Sequence, residues 1–348
     1  MPAATSLAPE DILAIPLNKP TRLFSSDAAT MKREYRALVR RWHPDVNASP
    51  QAGEVLRHIN ALHAAARGGD AGSDKDRPGQ LDLATTAGTR IRLRYRHQTA
   101  DDLGTVYIAR AAVTWLSDPA NADLLDAAAT RVEALPLTDA AMRAEMARFL
   151  PGVQRRFDTD DRAGLTLSMR PDLVRLSDVL DQQGGQIEQA HLGWIISGAL
   201  NIACYLHWAG LTHNALLPEN LFVGLRDHAV ALIGGWPYAA PVGARLTALP
   251  AAAYRLAPPA VRDNRTADNR LDLELIKHTG RVLLGDPAGT TLATDDRLSP
   301  ALVNWLRLPA GNDPVAAYRA WHTALETAYG RRRFVTFPAD PDDIYPRP

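Results

Sequence analysis

Between Ala28 and Trp42 the apolar residues fall at Met31, Tyr35, Leu38 and Trp42, the three- and four-residue spacing that lines one face of a helix. Ser25, Ser26 and Asp27 stand just ahead as candidate N-cap side chains. The helix must stop at His43, because Pro44 disfavours helical geometry in the residue before it and donates no backbone hydrogen bond. A second helical pattern opens after Ser49-Pro50, with Val55, Ile59, Leu62 and Ala66 on one face. The prediction is an antiparallel helical hairpin with His43-Pro44-Asp45 at its tip. Ahead of it, Leu17 to Phe24 reads as a short first helix broken up by Pro16 and Pro20.

The periodicity then vanishes. Gly68 to Gln80 is a run of small, polar and helix-breaking residues, which predicts a linker. Beyond it, alternating segments at Thr89–Tyr95 and Thr105–Ile108 read as strands. Further on, a long apolar helix ends at Leu206-His207-Trp208-Ala209-Gly210, and Val230–Ile233 reads as a buried strand. There is no internal repeat.

Composition bounds the possibilities. At 348 residues, 46% apolar and 22% charged, the chain has room for two globular domains and is neither disordered nor membrane-like. Basic and acidic residues number 39 each, so no global field draws it to nucleic acid or to an anionic membrane. The lone cysteine, Cys204, rules out an internal disulfide or a multi-thiolate zinc site. No apolar run nears the ~20 residues of a membrane span, and no signal peptide is visible. A cytoplasmic protein without metal or other cofactor is expected. Of the basic residues only Lys19, Lys32, Lys75 and Lys277 are lysines.

Local charge is another matter. From Met31 to Trp42 five basic residues face a single acid, Glu34. At about 100° per residue Arg33, Arg36 and Arg40 lie opposite the apolar stripe, flanked by Lys32 and Arg41. A basic helix ending Val39-Arg40-Arg41-Trp42, then His-Pro-Asp, then a helix carrying Ile59-Asn60-Ala61-Leu62, resembles a J domain. The resemblance implies docking on a DnaK-type chaperone and stimulation of its ATPase, through His43, Pro44 and Asp45 with Lys32, Arg33, Arg36 and Arg40. The family's Tyr-x-x-Leu pattern in the first helix is missing. The plainer alternative is a turn histidine capping its helix beside a solvated arginine face.

The stretch Leu211-Thr212-His213-Asn214-Ala215-Leu216-Leu217-Pro218-Glu219-Asn220-Leu221, followed by Val230-Ala231-Leu232-Ile233-Gly234-Gly235-Trp236, resembles the catalytic segment of protein kinases, His-Arg-Asp-Leu-Lys-Pro-x-Asn and then Asp-Phe-Gly. Ala257-Pro258-Pro259 falls at the place of Ala-Pro-Glu, and Asp272 at the start of a buried helix. The likeness runs over most of residues 83 to 335. It implies that Ala215 stands where the proton-accepting aspartate would be, Leu217 for the following lysine and Gly234 for the magnesium-binding aspartate. Asn220, the second magnesium ligand, keeps its identity; its plainer reading is a loop brace, and His213 reads as a core residue. The phosphate-anchoring lysine would be near Trp115 and its glutamate partner near Ala128. Lys277, the one lysine after residue 75, lies too far downstream to serve. Asp101 and Asp102, beside the single Gly104 of the expected glycine loop, would repel a triphosphate.

The expected architecture is therefore multidomain: an all-α J-domain hairpin at 10–67, a linker at 68–82, and an α+β protein-kinase-like fold. The latter comprises a β-rich N-lobe at 83–180, an α-helical C-lobe at 181–335 and a tail at 336–348. The expected function is that of a co-chaperone or adaptor, with a second domain lacking catalytic residues that binds an unidentified client. An atypical kinase with relocated groups and a purely structural docking component are the alternatives. Arg331-Arg332-Arg333 reads as a solvated helix end, or else an anion-binding run.

Overall fold

The computed structural model describes residues 8–16, 19–25, 27–42, 47, 49, 51–68, 79–330 and 334–345. The chain divides into two units, Met1–Pro78 and Gly79–Pro348.

In the first unit, α1 (Pro9–Leu13) and α2 (Ala28–Trp42) both pack on α3 (Ala52–Gly68). The predicted stripes meet: Met31, Leu38 and Trp42 bury against Val55, Ile59 and Leu62, and Ile12, Ile15, Leu23 and Phe24 close the core. Asp27 caps α2, its carboxylate accepting the Thr30 N–H at 2.8 Å, one of the donors that a helix start leaves without an internal partner. Tyr35 stacks 3.8 Å from the His63 ring and donates its hydroxyl to Asn60 at 3.1 Å. The His58 ring donates to the Ile15 carbonyl at 2.8 Å, tying the leading segment to α3. The first helix sits earlier than expected. It starts at Pro9, which suits a first helical turn, and between Pro16 and Phe24 the described backbone makes only a 3₁₀ turn, at Pro20–Arg22.

The second unit opens with a hairpin of β1 (Gln80–Ala84) and β2 (Arg90–Arg94). Gln80 to Asp82 are thus strand and not linker; Leu81 and Leu83 alternate onto one face and pack with Ile91, Leu116 and Phe157. Five antiparallel strands follow. Strands β3 (His97–Ala100), β4 (Gly104–Ile108) and β5 (Ala112–Ser117) precede α4 (Ala122–Glu133) and α5 (Ala140–Met146). Strands β6 (Gly152–Asp158) and β7 (Ala163–Ser168) complete the sheet, in the order β3-β4-β5-β7-β6. Helix α4 covers β6 and β7 with Leu125, Ala128, Ala129 and Val132.

Beyond β7 the chain crosses to the helical lobe, where β8 (Val174–Arg175) pairs with β10 (Leu221–Gly224) through Val174↔Val223. Val174 to Leu180, reckoned to the N-lobe from sequence, therefore belong to the C-lobe. Helix α6 (Leu176–Gln182) leads to α7 (Gln189–Trp208), which packs on β11 (Ala229–Leu232). The short pair β9 (Leu211–Thr212) and β12 (Ala240–Pro241) flanks the catalytic-type segment. The remaining helices are α8 (Ala251–Leu256), α9 (Pro259–Asn264), α10 (Asn269–Leu283), α11 (Pro300–Arg307), α12 (Pro314–Tyr329) and α13 (Pro341–Ile344). Both α10 and α12 pack against α7. The tail is integral to the core, since Phe337, Pro341 and Tyr345 are all buried.

Leu38 is fully buried between α2 and α3, so Leu38→Ala should cost about 2–5 kcal/mol, a large share of what a unit this small can hold. Hydrogen exchange should show α2 and α3 losing protection together, with β5 and β7 unaffected.

Candidate functional site

The catalytic-type segment is built on a carboxylate. Asp272, in the first turn of α10 and 1% exposed, accepts the backbone N–H of His213 at 2.8 Å and of Asn214 at 2.6 Å. Burial pushes its carboxyl up to about 7, against the two amides that favour the charged form. Two turns along the same face, Thr279 donates its hydroxyl to the Leu216 carbonyl at 3.2 Å. Asn214 takes a left-handed φ of 62°. Its amide donates to Thr212 Oγ1 and to the Tyr238 carbonyl, both at 2.9 Å, joining the loop to the segment after β11.

His213 is fully buried, its ring edge-on to Trp236 at 5.2 Å, and desolvation lowers its pKa to about 3. It is a neutral core residue. Asn220 braces the loop: its side-chain amide donates to the Ala215 carbonyl at 3.0 Å, and its backbone carbonyl accepts from Ile233 at 3.2 Å and Gly234 at 3.1 Å. The glycine pair after β11 packs into that brace. A Cβ at Gly234 would lie 2.5 Å from Asn220 Oδ1, and one at Gly235, where φ is +76°, would lie 2.6 Å from the His213 ring and 3.0 Å from Ala215. Real Cβ contacts are not that short, so a side chain at 234 requires Asn220 to move.

Trp115, near which the phosphate-anchoring lysine is expected from sequence, lies in β5. Its indole N–H donates to Asp101 Oδ2 at 2.9 Å, while Asp101 Oδ1 accepts the N–H groups of Leu103 and Gly104, each at 2.9 Å. Asp101, read from sequence only as a charge hostile to phosphate, thus organises the β3–β4 turn. Gly104 is required there, since a Cβ would run into the Leu116 carbonyl. Ala128 is buried inside α4, and Leu217 is buried beneath the loop. Burial raises the pKa of Glu219, and the neighbouring charges of Asp102 and Asp101 add to the rise.

A magnesium nucleotide held as kinases hold it needs a cation on the phosphates, a proton-accepting carboxylate and oxygen ligands for the metal. Ala215, Leu217, Trp115 and Gly234 offer none of these, and Asn220 offers a single amide oxygen, its N–H being donated to the Ala215 carbonyl. The residues do not fit the group. Lys277 caps α11 instead, its ammonium donating to the carbonyls of Trp305 at 2.6 Å and Leu308 at 2.8 Å. Among the described residues no three His, Cys, Asp or Glu converge as a metal site, and no helix is long and apolar enough to cross a membrane. A cavity of about 1370 Å³ opens elsewhere, lined by Trp194, Asn201, Tyr205, Tyr318, Leu325 and Tyr329 among others, with no residue of the His213–Asn220 loop.

In the first unit, His43, Pro44 and Asp45 lie outside the described residues, as do the side chains of Lys32, Arg36 and Arg40. Arg33 is exposed on α2, its guanidinium donating to Thr30 at 3.0 Å. Arg331, Arg332 and Arg333 also lie outside the described residues.

The first unit is similar in sequence to a DnaJ protein, and the second has a protein-kinase-like fold. The N-terminal part is 41% identical over 60 residues to the chaperone protein DnaJ of Thermosynechococcus vestitus, a match over 17% of this chain and 16% of that protein. The chain thus spans about a sixth of that relative's length. The second unit resembles the structure of vaccinia related kinase 3, with a TM-score of 0.51, 14% identity, and coverage of 72% of this chain and 92% of that one. No protein-family profile matches the chain.

Asp272→Ala would leave the two loop amides buried without acceptors, at about 1–3 kcal/mol each. Denaturant unfolding of the full chain should register that loss in the second unit; an unchanged midpoint would remove Asp272 from its anchoring role.

Proposed function

We propose that the protein is a J-domain co-chaperone or adaptor. Its first unit recruits a DnaK-type chaperone and stimulates ATP hydrolysis there, and its kinase-like unit is a non-catalytic scaffold for a client protein. The observation that carries the first half is the similarity to DnaJ over the segment that includes the basic helix and His43-Pro44-Asp45. The cationic side chains Lys32, Arg33, Arg36 and Arg40 suit an acidic chaperone surface, and the tripeptide His43-Pro44-Asp45 acts on the ATPase. For the second half, the support is the set of residues at Trp115, Ala128, Ala215, Leu217 and Gly234, together with the closed packing of Gly234 on Asn220. Phosphoryl transfer is almost wholly positioning and electrostatic stabilisation, and these side chains supply neither. No metal and no other cofactor enters this reading, and the partners are proteins only, in the cytoplasm.

In a steady-state assay, the protein should accelerate ATP hydrolysis by a DnaK-type chaperone. His43→Gln should abolish the acceleration and leave the α2–α3 hairpin folded. Arg36→Glu with Arg40→Glu should weaken docking, and salt beyond the ~8 Å screening regime should weaken it further. A wild-type chain that stimulates no such chaperone would end the co-chaperone reading.

Millimolar ATP with magnesium should leave the melting temperature of the protein unchanged, whereas ligand at ~100 times Kd would add about 2.7 kcal/mol. A magnesium-dependent shift lost in Asn220→Ala would instead support an atypical kinase.

A further inference from the structure

The lobes of the kinase-like unit are tied together on both sides of their cleft by side chains. At the front, Asp102 in the β3–β4 turn accepts the backbone N–H of Ala251 at 2.8 Å, across to the first residue of α8. Pro250, in the N-cap position of α8, makes no side-chain cap, so the other lobe provides the acceptor.

At the back, the tie comes from the C-terminal segment. It is held along the helical lobe by Phe337, which is buried and packs 4.6 Å from the His191 ring, and by Asp340, paired with Arg226 at 2.8 Å. Tyr345 then enters between the lobes and is only 2% exposed. On the helical side its hydroxyl donates to Asp178 Oδ2 at 2.5 Å and accepts the Arg175 backbone N–H at 3.1 Å. On the sheet side its ring stacks on His97, the first residue of β3, at 5.3 Å, and its carbonyl accepts from the Arg96 guanidinium. Arg96 also pairs with Asp342 at 2.5 Å. Arg175 in turn pairs with Asp178, and His97 lies 3.7 Å from the same carboxylate. One phenol thus sits at the centre of contacts drawn from both lobes.

We infer that residues 334–345 form a strap that holds the two lobes at a fixed angle, with Tyr345 as its buckle and Asp102–Ala251 as the opposing clasp. Covalently the lobes are joined through the crossing at Met169–Leu173, which leaves hinge motion as the default for two such bodies. The strap removes that freedom, and it does so without a ligand in the cleft. Releasing Tyr345 frees the hinge and strains the clasp on the far side.

Hydrogen exchange on the full-length protein, without nucleotide, tests the strap apart from the co-chaperone reading. Tyr345→Phe keeps the ring and loses both hydroxyl bonds. Exchange should rise about tenfold at the Arg175 amide, the scale of one lost hydrogen bond, and should also rise at the Ala251 amide across the cleft. Asp102→Ala should show the reverse coupling, with faster exchange at Arg175. The strap is overturned if Tyr345→Phe changes Arg175 alone while Ala251 keeps its wild-type rate. Tyr345→Ala should amplify the same pattern, and if that variant loses protection throughout β5 and β7, the phenylalanine variant alone decides.

Discussion

The kinase-like unit hangs on the bond between Asp272 and the amides of His213 and Asn214. A loop of irregular backbone passes through the interior here, and buried N–H groups without acceptors are what interiors tolerate least. Asp272 supplies both acceptors from a helix that is itself fixed by α7 and α11. With those two residues held, Asn214 can take its left-handed turn and reach Tyr238, His213 can lie edge-on to Trp236, and Asn220 can close the loop onto Ala215. The arrangement is a way of burying an irregular loop, and it stands without a charged side chain at Ala215 or Gly234.

Where chain pattern and local chemistry agree, the structure could be read in advance. The stripes Met31-Tyr35-Leu38-Trp42 and Val55-Ile59-Leu62 have one periodicity and proline stops, so the helices could hardly fall elsewhere. The segment from Leu211 to Trp236 is legible by its spacing, an apolar helix end, a loop closed by Asn220 and a buried strand ending at a glycine pair. What escaped is long-range or short. Gln80 to Asp82 looked like linker because two leucines between polar residues make a weak alternation, and only the pairing with β2 gives it meaning. The two-residue strand β8 is too brief to register as a strand, hence the misplaced lobe boundary. Tyr345 lies among prolines and aspartates that suggest a solvated tail; its partner Arg175 is 170 residues away, and no local rule joins them.

The aspartates at the turn teach a related lesson about charge. Seen as isolated ions, Asp101 and Asp102 signal repulsion of a phosphate. Packed, each is an acceptor with definite donors. Asp101 gathers Leu103, Gly104 and the Trp115 indole, and Asp102 caps a helix start in the opposite lobe. The tryptophan at 115 is coherent with this, because its single N–H satisfies a buried carboxylate that would otherwise carry a cost in desolvation.

The packing of Gly234 against Asn220 also bears on how such a unit can change over time. A side chain at 234 would first push aside the asparagine, and moving the asparagine would release the Ala215 carbonyl and loosen the loop. Any side chain introduced at 234 therefore passes through a worse-packed loop. Selection acting on this unit is freer to reshape its outer surfaces than this centre.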